Sequence, residues 1–228
     1  MRQVYISDAL LDRVSSRLFL PKNIAVIPNP VGKDWLADVK PFPNEKNITY
    51  AGTVEQYKGV GVLLEAFSKL KKEVPDAKLT IIGTGHGEKE YKELAKKLEI
   101  IDAINWTGKL PQEEVQKHFD RSFVVVQPSI WEEPFGRTVI EAYARGRAVV
   151  ASNIGGLRET FKDGTGMLVE TGNAEELFVA LKKIVSEKEN AQKMGVLARS
   201  YIEQNFTAEK IARRYINFYD ITCPAVLA

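Results

Sequence analysis

Short apolar runs rich in Val and Ile alternate along the chain with longer stretches in which apolar positions recur every three or four residues. The first pattern is typical of buried strands, and the second is typical of amphipathic helices. Strands are predicted at residues 24–27, 48–51, 79–82, 104–107, 123–126, 148–151 and 167–169. Helices are predicted between them at residues 62–71, 88–98, 112–119, 138–144 and 174–185. This alternation predicts the α/β class, with a parallel sheet covered by helices on both faces.

The beginning of the chain departs from this alternation. Residues 4–19 have the pattern of a strand followed by a helix, but proline-rich loops at 28–30 and 41–44 separate them from the main sheet. We therefore interpret residues 1–23 as the last strand and helix of a preceding domain.

The end of the chain departs from it as well. Two successive amphipathic helices, at 191–204 and 208–220, have no strand after them. Aromatic residues lie on one side of the second helix, and we expect this side to cover the core of the same domain. The α/β domain is therefore placed at residues 24–206, followed by a helix and tail at 207–228.

The composition is that of an ordinary globular protein. Of the 228 residues, 44% are hydrophobic, which is enough for a sizeable core. The 32 basic and 30 acidic residues leave a net charge of +2, which gives no general attraction to nucleic acid. The single cysteine, Cys223, excludes an internal disulfide and fits a reducing compartment, and no run approaches the roughly 20 apolar residues of a membrane span. We expect a cytoplasmic protein without a nucleic acid partner, with contact at a membrane surface left open.

The segment at residues 128–142 carries the strongest chemical signal. Glu133 precedes a proline, which favours extended backbone there, whereas Glu141 falls in the first turns of a predicted helix. Between these two acids, the N–H groups of Gly136, Arg137 and Thr138 lie where the helix begins, at the positive end of its dipole, which suits a phosphate. The alternative is a capped helix with two acidic surface residues.

Other turns that follow predicted strands are also unusual. Ligands of open α/β sheets bind at the carboxyl ends of the strands, so these turns are where chemistry is expected. Lys58 follows the strand at 48–51 and can neutralise a phosphate. Gly83 and Gly85 follow the next strand, where missing side chains would let the backbone approach a nucleotide closely.

Taken in order, these turns resemble the C-terminal, donor-binding domain of GT-B fold glycosyltransferases, in particular the retaining family 4, also described as glycosyl transferases group 1. The resemblance runs over roughly residues 24–220. Its elements include Lys58-Gly59, Gly83-Thr84-Gly85, Gly108, Pro128-Ser129, Glu133-Pro134-Phe135-Gly136, Glu141-Ala142, Gly146, Gly155-Gly156, Glu159 and Gly164-Thr165-Gly166. It implies a Rossmann-like domain that forms one half of a GT-B fold and binds a nucleotide-diphosphate sugar.

The resemblance also implies roles for individual residues. Glu133 becomes the candidate catalytic residue, in contact with the hydroxyls of the donor sugar, and Glu141 becomes the ribose contact. Lys58 and the backbone amides of the helix start hold the diphosphate, which is the leaving group. The remaining implied contacts are Gly83 and Gly85 along the nucleotide cleft, Lys109 and Leu110 beside the base, and Phe135, Gly136, Arg137 and Thr138 through their amides.

The resemblance further implies a retaining hexosyltransferase without a cofactor or a metal ion, which takes a UDP-, GDP- or ADP-sugar as donor. The sequence offers no His or Cys cluster with metal-ligand spacing. The acceptor, lipid-linked or saccharide, would be held by an N-terminal domain of which this chain contains at most the end. The isolated chain is then expected to be incomplete for turnover.

One position departs from the pattern of the family. Relatives usually carry an arginine at the position of Thr53, so the diphosphate has one cation fewer or takes it from elsewhere, for example from Arg137. A non-catalytic nucleotide-sugar-binding module remains the alternative, whereas a GT-B epimerase fits the Glu133 to Glu141 segment poorly. His86 and His118 receive no role, and Trp131 is expected to pack under the Glu133 loop.

Overall fold

In the computed structural model, residues 2–17, 19–20 and 22–219 are described. The strands are β1 Arg2–Tyr5, β2 Asn23–Val26, β3 Asn47–Ala51, β4 Lys78–Ile82, β5 Ile104–Gly108, β6 Val124–Gln127, β7 Ala148–Ser152 and β8 Gly166–Val169. The helices are α1 Asp8–Ser15, α2 Lys33–Leu36, α3 Val60–Glu73, α4 Glu88–Lys97, α5 Gln112–Asp120, α6 Arg137–Ala144, α7 Gly155–Thr160, α8 Ala174–Ser186, α9 Lys188–Asn205 and α10 Ala208–Tyr219. Cys223 and the end of the C-terminal tail lie outside the described residues.

Six strands form one parallel sheet in the order β5-β4-β3-β6-β7-β8. Every residue of β6 and β7 is buried, because helices cover both faces and the central strands meet no water. Leu63 and Phe67 of α3 belong to the core on one face, and Ile140 of α6 and Ile202 of α9 belong to the core on the other. The predicted α/β class with a Rossmann-like sheet is therefore confirmed.

The strand predicted at 24–27 does not join this sheet. It forms β2, which pairs in parallel with β1 in a separate two-stranded sheet, with Val4 opposite Ala25. A boundary at residue 23 would therefore cut the chain at the start of a strand whose partner lies in the preceding segment. The division into domains stays a prediction.

The last helix lies along this small sheet. The Arg214 guanidinium donates to the Val26 carbonyl at 2.8 Å, and that of Arg2 donates to the Tyr219 carbonyl. Of the apolar side of α10, Ile211 is buried, whereas Tyr215 and Tyr219 stack on each other with ring centroids 6.3 Å apart and stay partly or largely exposed. The expectation that these aromatics cover the main core was wrong, because α10 runs beside the β1–β2 sheet.

Two buried guanidinium groups fix the segment that leads into the main sheet. Arg145 forms a two-pronged ion pair with Asp120, at 2.9 Å from Nε and 2.6 Å from Nη2, and also donates to the carbonyls of Trp35 and Ala37. Arg147 donates to the carbonyls of its neighbours, including that of Asp120 at 2.7 Å. Both arginines are almost fully buried, so this network holds together the end of α5, the end of α6 and the chain that follows α2.

Candidate functional site

The candidate site lies where the connections of the sheet change direction. From β3 the chain crosses through α3 to β4 on one side, whereas β6 lies on the other side of β3. The chain after β3 and the chain after β6 therefore continue on opposite faces of the sheet, and open α/β sheets bind ligands in the crevice at such a switch point. Lys58 lies in the loop after β3 and Glu133 in the loop after β6, and Lys58 Nζ is 2.5 Å from Glu133 Oε1.

A glycine lets these two loops touch. Gly59 has φ of 73°, and a Cβ built there would lie 1.8 Å from the Pro128 carbonyl oxygen. The loops are also joined by the Ile130 N–H, which donates to the Tyr57 carbonyl at 2.9 Å. Because only glycine has room at this crossing, backbone packs on backbone and brings Lys58 to Glu133.

Protein groups donate hydrogen bonds to only one of the two Glu133 carboxylate oxygens in the described ranges. The Ser129 hydroxyl donates to Oε1 at 2.9 Å, and Lys58 donates to the same oxygen. Within the described ranges no group donates to Oε2, so that oxygen is available to accept a hydrogen bond from a ligand hydroxyl. Burial and the nearby Glu133 charge raise the pKa of Tyr50, whose protonated hydroxyl donates to the Thr53 carbonyl at 2.6 Å.

The loop from Glu133 to Gly136 is fixed by α7, a helix that is not among those predicted from the sequence. The Gly156 N–H donates to the Glu133 carbonyl at 2.7 Å, and a Cβ on Gly156 would lie 2.7 Å from Phe135 Cα. A Cβ on Gly136 would likewise lie 2.0 Å from Thr160 Oγ1. The glycine pair that opens α7 therefore shapes the loop through close packing.

The start of α6 presents donors that the helix itself does not use. The first intrahelical acceptor is the Gly136 carbonyl, which receives the Ile140 N–H at 3.1 Å. In the part of the chain that the structure describes, no group accepts from the N–H of Arg137 or Thr138. These amides and the positive end of the helix dipole favour an anion at this point.

Glu141 lies one turn into α6. Its carboxylate is 2.8 Å from Arg137 Nε, and its side chain is mostly buried while that of Arg137 is exposed. Burial raises the pKa of Glu141 above its ordinary value, and the hydrogen bond and charge of Arg137 only partly offset this. The folded state therefore binds this proton more tightly than the unfolded chain does.

This shift gives a pH dependence with a defined sign. Glu141 favours folding below its unfolded pKa, and that contribution is lost as the pH rises through the raised folded pKa. In urea unfolding, the free energy of unfolding of Glu141→Gln should therefore rise relative to that of the wild type as the pH rises from the unfolded to the folded pKa of Glu141. Carboxyl carbon NMR should place the midpoint of Glu141 above the ordinary range, and Arg137→Gln should move it higher still. A midpoint in the ordinary range, or one lowered by Arg137→Gln, would contradict the assignment.

Gly83 and Gly85 lie on the rim of the sheet, next to the loop after β3. The Gly52 N–H donates to the Ile82 carbonyl at 2.9 Å, and the Gly83 N–H donates to the Gly108 carbonyl at 2.8 Å. A Cβ on Gly83 would lie 1.9 Å from the Gly52 oxygen, and one on Gly85 would lie 2.2 Å from the Val54 oxygen. The direction in which a side chain would project from these glycines is thus filled by protein backbone, and their place along the nucleotide cleft stays a prediction.

Lys109 and Leu110 follow the edge strand β5 and are separated from β3 by β4. At the usual spacing of strands, this places them about 10 Å from the loop that carries Lys58. Lys109 is exposed and Leu110 is partly buried. The structure thus brings Lys58, Glu133 and the start of α6 together and leaves the predicted base contacts at the far end of the same rim.

The other singled-out residues have simple surroundings. Trp131 is 38% exposed and lies between the Tyr57 ring, at 6.2 Å, and the Arg13 guanidinium, 4.6 Å from its centroid. His86 is fully exposed beside Glu55, and a half-buried His118 lines a groove of about 600 Å³ at the amino ends of the strands, away from Lys58. Thr53 only places its hydroxyl 3.5 Å from that of Tyr57 and supplies no cation.

Ser129 is the residue of this site to which the sequence assigned no role. It stood in the Pro128-Ser129 motif, but nothing in the pattern showed that its hydroxyl would meet a carboxylate four residues later. Across the described ranges, no three or more His, Cys, Asp or Glu residues are grouped as a metal ion would require. None of the described helices is both long and apolar enough to cross a bilayer.

Residues 33–201 match the family described as glycosyl transferases group 1, and the chain belongs to that family. D-inositol 3-phosphate glycosyltransferase of Paenarthrobacter aurescens is 32% identical over 166 residues, which cover 71% of this chain and 40% of that protein. The crystal structure of a glycosyltransferase from Rickettsia africae has 27% identity and a TM-score of 0.84, and the match covers 96% of this chain and 62% of that one. HepE of Anabaena, solved with UDP-glucose, is 21% identical with a TM-score of 0.82, and the match covers 94% of this chain and 62% of HepE.

These comparisons confirm the glycosyltransferase family and the GT-B type of fold. The matched residues cover only about two fifths of the length of the Paenarthrobacter relative. They do not test the individual site residues, which stay predictions.

Proposed function

We propose that this chain is the donor-binding half of a retaining glycosyltransferase and that it binds a nucleotide-diphosphate sugar. The observation that carries the proposal is the Lys58–Glu133 pair, in which a cation and a carboxylate from opposite sides of the crevice lie 2.5 Å apart beside the start of α6. The family supports the reaction class. HepE, which has a similar fold, was solved with UDP-glucose, and this supports a nucleotide sugar as the ligand.

The positive groups of the site suit the diphosphate. The Lys58 ammonium and the amides of residues 135–138 would face the negative charge that grows on the leaving group, and electrostatic stabilisation of this kind usually lowers the barrier more than any other effect. Because fixed protein donors supply this charge, the proposed reaction needs no metal ion. Arg137 begins α6, and its exposed guanidinium lies beside the same amides. It can supply the cation that Thr53 does not.

Glu133 and Glu141 suit the two sugars of the ligand. Oε2 of Glu133 can accept from a hydroxyl of the transferred sugar, while Lys58 and Ser129 hold Oε1 in place. Glu141 can accept from the ribose hydroxyls. Lys109 and Leu110, farther along the rim, would border the base.

The acceptor side of the reaction lies outside this chain in the proposal. A lipid-linked or saccharide acceptor would be held by an N-terminal domain of the longer protein, since the relatives are about twice as long. A cytoplasmic location stays part of the same proposal.

Calorimetry of the chain with UDP, GDP and ADP tests the donor site. We expect one of them to bind, and we expect Glu141→Ala to weaken that binding by about 1–3 kcal/mol, the scale of a lost hydrogen bond to a charged group. Glu187→Ala, which removes an exposed carboxylate at the start of α9, is the control and should bind like the wild type. Absence of binding of all three nucleotides at millimolar concentration would refute the donor site. Binding without transfer by the longer protein would leave a nucleotide-sugar-binding module.

A further inference from the structure

Ser7 joins the first helix to the loop that carries Glu133. Its side chain caps α1 by accepting the Leu10 N–H at 3.0 Å, and the same hydroxyl donates to the Pro134 carbonyl at 2.5 Å. The residue is 2% exposed. A cap requires only an acceptor, so the donor function of this hydroxyl is additional to capping and goes to a loop 127 residues away in sequence.

A second set of hydrogen bonds joins the start of α1 to α7. The Glu159 carboxylate of α7 accepts the N–H of Asp8, at 2.7 Å, and that of Ala9. The same helix α7 donates from the Gly156 N–H to the Glu133 carbonyl. The start of α1, the loop at Glu133 and Pro134, and α7 therefore hold one another through three independent contacts.

We propose that Ser7 is a positioning residue of the donor site, an inference that rests on the proposed function. The carbonyl of Pro134 and the N–H of Phe135 belong to one planar peptide unit and point in opposite directions. By holding the carbonyl, Ser7 fixes the direction of an amide that is expected to face the diphosphate. A hydrogen bond accepted by that carbonyl also polarises the peptide and strengthens its N–H as a donor.

Ser7→Gly separates this role from capping. Glycine is a good N-cap that costs only a few tenths of a kcal/mol relative to serine, so α1 keeps its start while the donor to Pro134 is lost. We expect the binding of UDP, GDP or ADP, whichever the wild type binds, to weaken about three- to tenfold, as for one neutral hydrogen bond. Ser15→Ala removes a hydroxyl that donates to the Asp12 carbonyl of the same helix and serves as the control, with unchanged affinity.

An isosteric pair gives a second readout that does not depend on the glycine variant. Ser7→Thr keeps a hydroxyl at this position, whereas Ser7→Val replaces it with a methyl group of the same shape. Threonine should restore binding and valine should not. Hydrogen exchange should quicken at the Gly156 and Ile140 amides, which donate to the carbonyls of Glu133 and Gly136, in the glycine and valine variants, with no change in strands β3 to β5.

The outcomes separate this inference from the function on which it rests. If the wild type binds no nucleotide, the donor site and the role of Ser7 are both refuted. If the wild type binds and Ser7→Gly binds equally well, only the role of Ser7 is refuted. Weaker binding that threonine does not restore, with unchanged exchange at the Gly156 and Ile140 amides, would reduce Ser7 to a structural residue and overturn the inference.

Discussion

Replacing Lys58 with methionine is expected to weaken the binding of a nucleoside diphosphate by about 10- to 100-fold. Methionine keeps the length of the side chain but removes the ammonium, and a hydrogen bond to a charged group is worth about 1.5–3 kcal/mol. Both Lys58 and its partner Glu133 are largely shielded from solvent, so salt screens this interaction less than it would at the surface. Calorimetry with the nucleotide that the wild type binds gives the measurement.

The Lys58–Glu133 contact predicts that replacing Glu133 has the opposite effect on the affinity for a nucleoside diphosphate. The Lys58 ammonium is paired with Glu133, so a diphosphate must share this cation with a carboxylate whose negative charge also opposes the phosphates. Glu133→Gln removes the competing charge and should strengthen nucleoside diphosphate binding, while the loss of its contact to the transferred sugar reduces that gain for the nucleotide sugar. Lys69→Met, which breaks the exposed pair with Glu175, is the matched control without effect. Weakening of nucleoside diphosphate binding by both site variants would contradict this interpretation.

Arg145→Met is expected to lower the free energy of unfolding by about 3–5 kcal/mol, the cost of removing one partner from a buried ion pair. The substitution leaves Asp120 buried without its two-pronged partner, and it frees the carbonyls of Trp35 and Ala37 as well. Urea unfolding measures the change.

Two variants show whether burial is the cause of this cost. Lys117→Met breaks an exposed pair with Glu114 and should cost less than about 1 kcal/mol. Adding Asp120→Leu to Arg145→Met should not recover the loss, because it leaves the buried Arg147 guanidinium without the carboxylate that lies 4.0 Å from it. A loss as small as that of Lys117→Met would contradict the structural role given to Arg145.

The centre of the main sheet could be predicted from the sequence because its inner strands are buried on both faces. The run predicted at 79–82 is β4, Lys78–Ile82, and the run at 148–151 is β7, Ala148–Ser152. Such strands need nearly continuous apolar residues, and this local signal does not depend on which neighbours they find.

Features that depend on distant contacts could not be read in this way. β2 has the same apolar pattern as the main strands, and only its pairing with β1 places it in another sheet. α7 begins with two glycines, which are poor helix formers, and its form follows from close packing against Phe135. The motifs indicated Lys58 and Glu133 separately, but their direct contact across the crevice follows from the crossing at Gly59.

The rim of the sheet beside the crevice is held together by main-chain atoms. Hydrogen bonds from Gly52 to Ile82, from Val54 to Thr84 and from Gly83 to Gly108 join the three loops after β3, β4 and β5 without any side chain. Side chains that project from this rim, such as those of Lys109 and Leu110, can therefore be exchanged without loosening it. If Lys109 and Leu110 border the base as proposed, the choice of nucleobase can change here independently of the groups proposed to hold the phosphates and the sugar.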